Sequence, residues 1–202
     1  MKKAIFGGTF DPIHIGHIHI AYEALYNLEL DEVIFMPNGH PPHKRNRLVT
    51  EEKFRYEMVS RAIEGEEKFS INDFEIKSNS LSYTYNTLMY FNDIEPNTQW
   101  YFLVGVDSLM TLRQWKNIDI ILDNCTLVVF SRTGYTIDDV LKMKRDLEQE
   151  YNKEIILLEM SLLDISSTEI KKKISEDKIV TYLLPQGVDE VINKYNLYRN
   201  KV

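Results

Sequence analysis

The chain has 202 residues, 44% of them hydrophobic, which is enough for one sizeable packed domain and too few for two ordinary ones. Its formal net charge of −7 argues against a nucleic-acid-binding protein, because such proteins present a basic face to the phosphate backbone. No stretch approaches the roughly 18 apolar residues of a membrane-spanning helix, and the apolar run before the first glycines is too short for a signal peptide, so we expect a cytoplasmic protein that binds no membrane.

Apolar runs of strand length alternate with longer amphipathic stretches along most of the chain. The predicted strands are Lys3–Phe6, Glu32–Met36, Phe69–Ile76, Trp100–Val104, Thr126–Ser131 and Ile155–Leu158. The predicted helices between them are His17–Leu28, Glu51–Glu64, Tyr85–Asn92, Ser108–Asp123 and Asp138–Tyr151. This alternation is typical of βαβ units, and it predicts an α/β fold with a Rossmann-like, doubly wound, mostly parallel sheet. Ligands of such sheets bind at the carboxyl ends of the strands.

After Leu158 only helical patterns follow, at Thr168–Ser175 and Pro185–Tyr195, and the proline suits the first position of the second helix. We therefore predict one domain over residues 1–202, made of a core at 1–158 and a C-terminal helical extension at 159–202. The connection Pro37–Val49 is longer than most, which favours a functional loop.

The first predicted strand ends in a glycine-rich turn that leads directly into a helix. The turn reads Gly7-Gly8-Thr9-Phe10-Asp11-Pro12, and His14 and His17 follow within one helical turn. Glycines let the backbone approach an anion, and the helix start offers unpaired N–H groups and the positive end of the helix dipole. The segment therefore predicts a phosphate site, with both histidines donating hydrogen bonds to phosphoryl oxygens.

Two other interpretations of this segment are open. A glycine-rich turn can simply be tight, with two structural histidines packed beside it. A zinc site also uses paired histidines, but neither a cysteine cluster nor an H-E-x-x-H pattern accompanies them, and no metal ligands are predicted. The helix start directly after the glycines favours the phosphate site.

The loop after the second predicted strand is rich in proline and basic residues. It contains Pro41-Pro42-His43-Lys44, in which the two prolines stiffen the backbone and reduce the entropy lost when Lys44 is held against a phosphate. A solvated basic loop is the alternative, since charge runs are usually exposed. We predict that Lys44 is a second phosphate-binding residue.

Further polar segments stand at predicted helix starts. Ser82-Tyr83-Thr84 offers N–H groups and a hydroxyl that could accept a carboxylate, and Asp107 either caps the helix after the fourth strand or accepts hydrogen bonds from ribose hydroxyls. Ser166-Ser167-Thr168-Glu169 is a capping box, and the same helix start is also suited to the phosphates of a nucleotide. Trp115, in a helical stretch, would by pattern alone more often belong to the core.

Together these segments resemble the H-x-G-H nucleotidyltransferases, and more narrowly the bacterial nicotinate-nucleotide adenylyltransferases. The similarity covers essentially the whole chain. Its blocks are the His14–His17 motif, Pro41–Lys44 as PPHK, Ser82–Thr84 as SYT, Gly105–Asp107 with Trp115, Ile165–Ile170 as I-S-S-T-x-I, and Tyr182–Pro185 as YLLP. The chain departs from the family at Lys171, usually an arginine, which replaces a bidentate contact by a point charge, and at Asn86, often an aspartate.

The resemblance implies an enzyme that transfers the adenylyl group of ATP to nicotinate mononucleotide, giving nicotinate adenine dinucleotide and pyrophosphate in NAD biosynthesis. The catalytic residues it implies are His14, His17 and Lys44. The implied ATP-binding residues are Gly7, Gly8, Thr9, Phe10, His17, Gly105, Asp107, Ile165, Ser166, Ser167, Thr168 and Lys171. The implied mononucleotide-binding residues are Lys44, Ser82, Tyr83, Thr84, Trp115 and Lys116, with the tryptophan stacking on the pyridine ring. Mg²⁺ is expected to arrive with ATP, and a homo-oligomer remains open.

Other functions remain alternatives. A pantetheine-phosphate adenylyltransferase shares the H-x-G-H motif, although such chains are shorter and the SYT segment and Trp115 fit a nicotinate site better. A non-catalytic nucleotide sensor on the same fold would bind ATP without turnover. A class I aminoacyl-tRNA synthetase is disfavoured by the short chain and the missing K-M-S-K-S motif. A dinucleotide-dependent oxidoreductase is disfavoured because G-x-G-x-x-G does not follow the first strand.

Overall fold

The computed structural model describes residues 1–39, 49–78, 82–130, 134–161 and 163–199. The strands are β1 (Lys2–Gly8), β2 (Glu32–Pro37), β3 (Phe69–Ile71), β4 (Gln99–Gly105), β5 (Thr126–Phe130) and β6 (Ile155–Leu158). The helices are α1 (Ile15–Asn27), α2 (Glu52–Ala62), α3 (Phe74–Lys77), α4 (Thr84–Ile94), α5 (Val106–Met110), α6 (Ile118–Asn124), α7 (Ile137–Tyr151), α8 (Ser167–Ser175) and α9 (Val188–Lys194). Short 3₁₀ helices lie at Leu112–Gln114 and Thr181–Leu183.

Within the described ranges, the six strands form one parallel sheet in the order β3-β2-β1-β4-β5-β6. This is the predicted Rossmann-like α/β fold. The strand order reverses between β1 and β4, so the chain leaves these two neighbouring strands toward opposite sides and opens a crevice at their carboxyl ends. The two glycines of the first turn end β1, and Gly105 ends β4, so both predicted turns lie at this crevice.

The strands are apolar throughout because both faces of the sheet are covered. Successive residues of β1 enter different cores: Ala4 and Phe6 pack with α1, α2, α8 and α9, whereas Ile5 packs with α4, α5, α6 and α7. The predicted C-terminal helical extension thus covers the face of the sheet that α1 and α2 also cover. In the part of the chain that the structure describes, no helix is both long and apolar enough to cross a bilayer.

Three sequence predictions of secondary structure are wrong in detail. The strand predicted to reach Ile76 ends at Ile71, because the Asn72 side chain accepts a hydrogen bond from Phe74 N–H (2.9 Å) and starts α3. The helix predicted over Ser108–Asp123 is interrupted, because Trp115 is extended and Asn117 adopts a left-handed conformation with φ 55°. The last helix begins after Gly187, not at Pro185. The other elements agree within about three residues, except that Ser131 lies outside the described residues.

Candidate active site

A cavity of about 730 Å³ lies at the carboxyl ends of β1 and β4. It brings together most residues that the sequence predicts to bind ATP, although these come from the beginning, the middle and the last part of the chain. They are Gly7, Gly8, Thr9, Phe10, His17, Gly105, Asp107, Ser166, Ser167, Thr168 and Lys171, with His14 beside them. Ile165 is the exception, since its side chain packs against the core instead. Lys44 and the rest of Pro41–Lys44 lie outside the described residues.

The two histidines are held at the start of α1, where His14 is the N-cap residue. His14 N–H donates a hydrogen bond to Nδ1 of His17 (3.2 Å), and the two rings stack with centroids 3.7 Å apart. Because Nδ1 accepts this bond, the proton of a neutral His17 is on Nε2. The helix start therefore orients the ring and selects the tautomer whose Nε2 is a hydrogen-bond donor.

Two glycines allow close packing around these rings. A Cβ on Gly16 would lie 3.0 Å from Nδ1 of His14, so a larger residue would displace that ring from the cavity. A Cβ on Gly8 would lie 2.7 Å from the ring of Phe10, which packs edge-on against His17 with centroids 5.1 Å apart. The glycines of the motif thus allow the close packing that places the two histidines.

The start of α8 forms the opposite side of the cavity. The hydroxyl of Ser166 accepts a hydrogen bond from Glu169 N–H (3.1 Å), which confirms the predicted N-cap. The reciprocal half of the predicted capping box is wrong, because the Glu169 carboxylate pairs with Lys173 (3.3 Å) instead. Ser167 donates its hydroxyl proton to the carbonyl of Pro12 (2.9 Å) and so joins α8 to the first turn. Two helix starts, those of α1 and α8, therefore line the same cavity.

Lys171 already has a carboxylate partner in this cavity. Its ammonium pairs with Asp11 (2.9 Å), and the same carboxylate accepts a hydrogen bond from the Tyr198 hydroxyl (2.8 Å). Burial raises the pKa of Asp11, but the hydrogen bonds from Lys171, Thr50 and Tyr198 outweigh it and hold the pKa below its usual range. A phosphate bound at Lys171 would therefore compete with the Asp11 carboxylate for the lysine ammonium group.

Asp107 lies in the first turn of α5 and lines the cavity. The N-cap of α5 is Gly105, so the interpretation of Asp107 as a cap is wrong. Its side chain is exposed, and a carboxylate in this position can accept hydrogen bonds from a ligand's hydroxyls.

A second cavity of about 500 Å³ adjoins the first and collects the residues predicted to bind the mononucleotide. Ser82, Tyr83 and Thr84 line it at the start of α4, and Trp115 and Lys116 line it from the chain between α5 and α6. Trp115 is half-buried and meets Phe102 edge-on, with centroids 6.4 Å apart, while the Lys116 ammonium lies 4.8 Å from the centre of the Tyr83 ring. The two cavities share Gly7, Asn38, Gly105 and Ser108, so they form one continuous crevice.

Glu75 is a buried acid in the wall of the second cavity, a position that the sequence patterns did not predict. Its carboxylate accepts a hydrogen bond from the Thr87 hydroxyl (2.8 Å). Desolvation raises its pKa to about 6, and hydrogen bonding opposes this only in part. A single charged residue between Phe74 and Ile76, in a run predicted as a strand, was the available signal.

We expect Glu75→Gln to change how stability depends on pH. The raised pKa means that the folded protein keeps a proton that the unfolded chain has lost, so the free energy of unfolding should fall as pH rises from 4.5 through about 6. Above that pH the loss amounts to roughly 2 kcal/mol. Glutamine keeps the acceptor for Thr87 without the charge, so urea unfolding of Glu75→Gln should lack this decline. Parallel pH profiles for the two proteins would show that Glu75 does not titrate as described.

The chain is similar to several known proteins along nearly its whole length. The cytidylyltransferase-like family model matches residues 5–173. A protein of Clostridium novyi named "Probable nicotinate-nucleotide adenylyltransferase" is 52% identical over 198 residues, covering 98% of this chain and 99% of its own. A Clostridium perfringens protein of the same name is 50% identical over 202 residues and covers 100% of both chains. Among solved structures, Plasmodium falciparum nicotinic acid mononucleotide adenylyltransferase complexed with NaAD matches with a TM-score of 0.77 and 22% identity, covering 98% of this chain and 97% of that one, which shows the shared fold.

Proposed function

The chain belongs to the cytidylyltransferase-like family, and from this premise we propose that it is a nucleotidyltransferase that transfers the adenylyl group of ATP to nicotinate mononucleotide, a step of NAD biosynthesis. The observation that carries the proposal is the continuous crevice. A cavity with two helix starts, suited to a triphosphate, opens into a second cavity with an aromatic wall and a third helix start. The product, a dinucleotide, needs two such adjoining cavities.

The reaction requires little covalent chemistry from the protein. An oxygen of the mononucleotide's 5′-phosphate attacks the α-phosphorus of ATP in line, a new P–O bond forms, and the bond to the β-phosphate breaks to release pyrophosphate. The attacking oxygen is already anionic, so no base has to remove a proton. Positioning and stabilisation of charge therefore account for the rate.

His17 is the residue to which we assign the largest part of that stabilisation. Its Nε2–H, set by the hydrogen bond at Nδ1, would donate to an oxygen of the α-phosphoryl group, with His14 beside it. The backbone of Gly8, Thr9 and Phe10 lines the same cavity and would bind phosphate oxygens. Lys44, outside the described residues, is proposed to neutralise further phosphate charge.

The leaving pyrophosphate is assigned to the start of α8. The Ser167 hydroxyl is bonded to Pro12, so this residue would contribute its backbone N–H, whereas Ser166 and Thr168 are exposed at the cavity. Lys171 would share its charge between Asp11 and the phosphate, and Asp107 would accept hydrogen bonds from the adenosine ribose. Asp107 lies on α5, and the other residues named here lie at the start of α8.

The nicotinate ring is assigned to the second cavity. Trp115 would stack on the pyridine ring, and the N–H groups at the start of α4 and the Thr84 hydroxyl would bind its carboxylate with help from Lys116. Mg²⁺ is proposed to arrive with ATP. Among the described residues no group of three or more His, Cys, Asp or Glu side chains is arranged to hold a metal ion. Bound through phosphates and water, Mg²⁺ would neutralise triphosphate charge.

The test is an assay of the purified protein with ATP and Mg²⁺, offering one acceptor at a time and quantifying pyrophosphate and adenylylated product. The acceptors are nicotinate mononucleotide, nicotinamide mononucleotide and phosphopantetheine. We expect turnover with the first. Turnover confined to phosphopantetheine would replace the substrate and keep the mechanism, and ATP binding without pyrophosphate from any acceptor would indicate a nucleotide sensor.

A further inference from the structure

Arg55, on α2, is among the most deeply buried side chains of the structure, with 1% of its surface exposed. Its guanidinium donates three hydrogen bonds, all to main-chain carbonyls: Nε to Thr50 (2.8 Å), Nη1 to Thr9 (2.8 Å) and Nη2 to Asn38 (2.7 Å). Burying an arginine is costly, because the charge leaves water, and such a group is retained only where its donors are satisfied. Here the charge of Asp11 partly offsets the cost of burial.

The three carbonyls belong to separate segments of the chain, which meet beside the crevice. Thr9 lies in the turn after β1, Asn38 follows β2, and Thr50 directly precedes α2. Thr9 and Asn38 both line the larger cavity, and Asn38 also donates its N–H to the carbonyl of Gly8 (2.9 Å). Arg55 itself lies behind these segments, on α2.

The bond to Thr9 has a consequence for the phosphate turn. In a planar trans peptide the C=O and the N–H of the next residue point in opposite directions. Holding the Thr9 carbonyl toward Arg55 therefore directs the N–H of Phe10 away from Arg55. Phe10 adopts a left-handed conformation (φ 48°), which costs a non-glycine residue roughly 1–2 kcal/mol and has to be maintained by its surroundings.

We propose that Arg55 is a positioning residue for the adenylyl transfer: it binds the carbonyls of Thr9 and Asn38 and so fixes the orientation of the backbone N–H groups that meet the phosphates of ATP. This inference rests on the proposed function for its catalytic readout. Arg55 itself lines neither cavity; of the residues it holds, Thr9 lines only the larger cavity and Asn38 lines both, so the main effect is expected on the ATP side of the reaction.

The test is Arg55→Lys, which keeps the positive charge but lacks the planar fork that reaches three carbonyls. We expect kcat to fall roughly tenfold and the KM for ATP to rise, with a smaller rise in the KM for nicotinate mononucleotide, because Asn38 also lines the second cavity. Arg61→Lys is the matched control, since Arg61 is on the same helix but exposed and paired with Glu64 (2.9 Å), and its kinetics should equal those of the wild type. All assays are run well below the melting temperature of each variant.

A lower melting temperature with unchanged kcat and KM values would show that Arg55 is merely structural, and would overturn the proposal. If Arg55→Lys does not fold, Arg55→Gln is tested instead, because glutamine retains an uncharged donor. The same changes in kcat and KM are expected for it. Titration with ATP alone separates this inference from the proposed function: weaker ATP binding by the variant supports the role of Arg55 even if the wild type turns over none of the acceptors. Equal ATP affinity and equal turnover would exclude it.

Discussion

Replacing His17 by asparagine is expected to lower kcat by roughly 10²- to 10³-fold, the usual cost of removing one preorganised donor from a developing anion. In this fold the ring has two functions that the substitution separates. Nδ1 accepts the N–H of His14 and completes the start of α1, whereas Nε2–H is the donor that we propose binds the α-phosphoryl group. The side-chain oxygen of asparagine can replace Nδ1 in the cap, but nothing replaces Nε2. Kinetics with ATP and nicotinate mononucleotide, together with thermal unfolding, measure the two effects.

Glutamine at position 17 is the matched control. Its longer side chain places an amide near the position of Nε2 but cannot accept the bond from His14 in the same way, so it should lose stability and recover part of kcat relative to asparagine. An asparagine variant with wild-type kcat would remove His17 from the mechanism, even if its stability were reduced.

The electrostatics of the crevice explain how a chain of net charge −7 can serve two anionic substrates. The helices α1, α4 and α8 all begin at the two cavities, so their N–H groups and dipoles supply positive potential where the phosphates and the carboxylate are proposed to bind. Lys171 adds a positive charge, which its ion pair with Asp11 partly neutralises. We therefore expect the local dipoles, rather than the overall charge, to attract the anionic substrates.

Much of the fold follows from patterns that are local in sequence. Strands buried on both faces are continuous apolar runs, and β1, β2 and β4 are therefore recognisable without any tertiary information. The errors occur where a side chain overrides the pattern. Asn72 ends β3 by bonding to the backbone, and Asn117 takes a left-handed conformation that separates α5 from α6. The spacing of apolar residues along the sequence does not predict either effect.

The candidate site was predictable to the extent that its residues stand at helix starts, since the same residue types cap helices and bind anions. The contacts that support those residues were not predictable. Asp11 and Tyr198 are 187 positions apart, and Arg55 joins three segments through carbonyls, which any residue type can provide. Such contacts leave no pattern in a single sequence, because only the folded topology brings the partners together.

Trp115→Ala is expected to raise the KM for nicotinate mononucleotide on the order of 50-fold, which corresponds to the stacking of one aromatic ring. The KM for ATP should stay unchanged, because Trp115 lines the second cavity and not the first. The backbone at Trp115 is extended, between the 3₁₀ helix and α6. The residue is therefore not part of the predicted helix, where its pattern would have placed it in the core. Steady-state kinetics with each substrate varied in turn measure both constants.

Trp115→Phe is the control, because a phenyl ring preserves a stacking face and should keep most of the affinity for the mononucleotide. The opposing hypothesis, that Trp115 is a core residue, also makes a definite prediction. Trp115 meets Phe102 edge-on and is half-buried. If these contacts are its only role, Trp115→Ala should lower the melting temperature and leave both KM values unchanged. A rise in the KM for ATP alone would contradict both interpretations and would place the adenosine, rather than the pyridine ring, against this side chain.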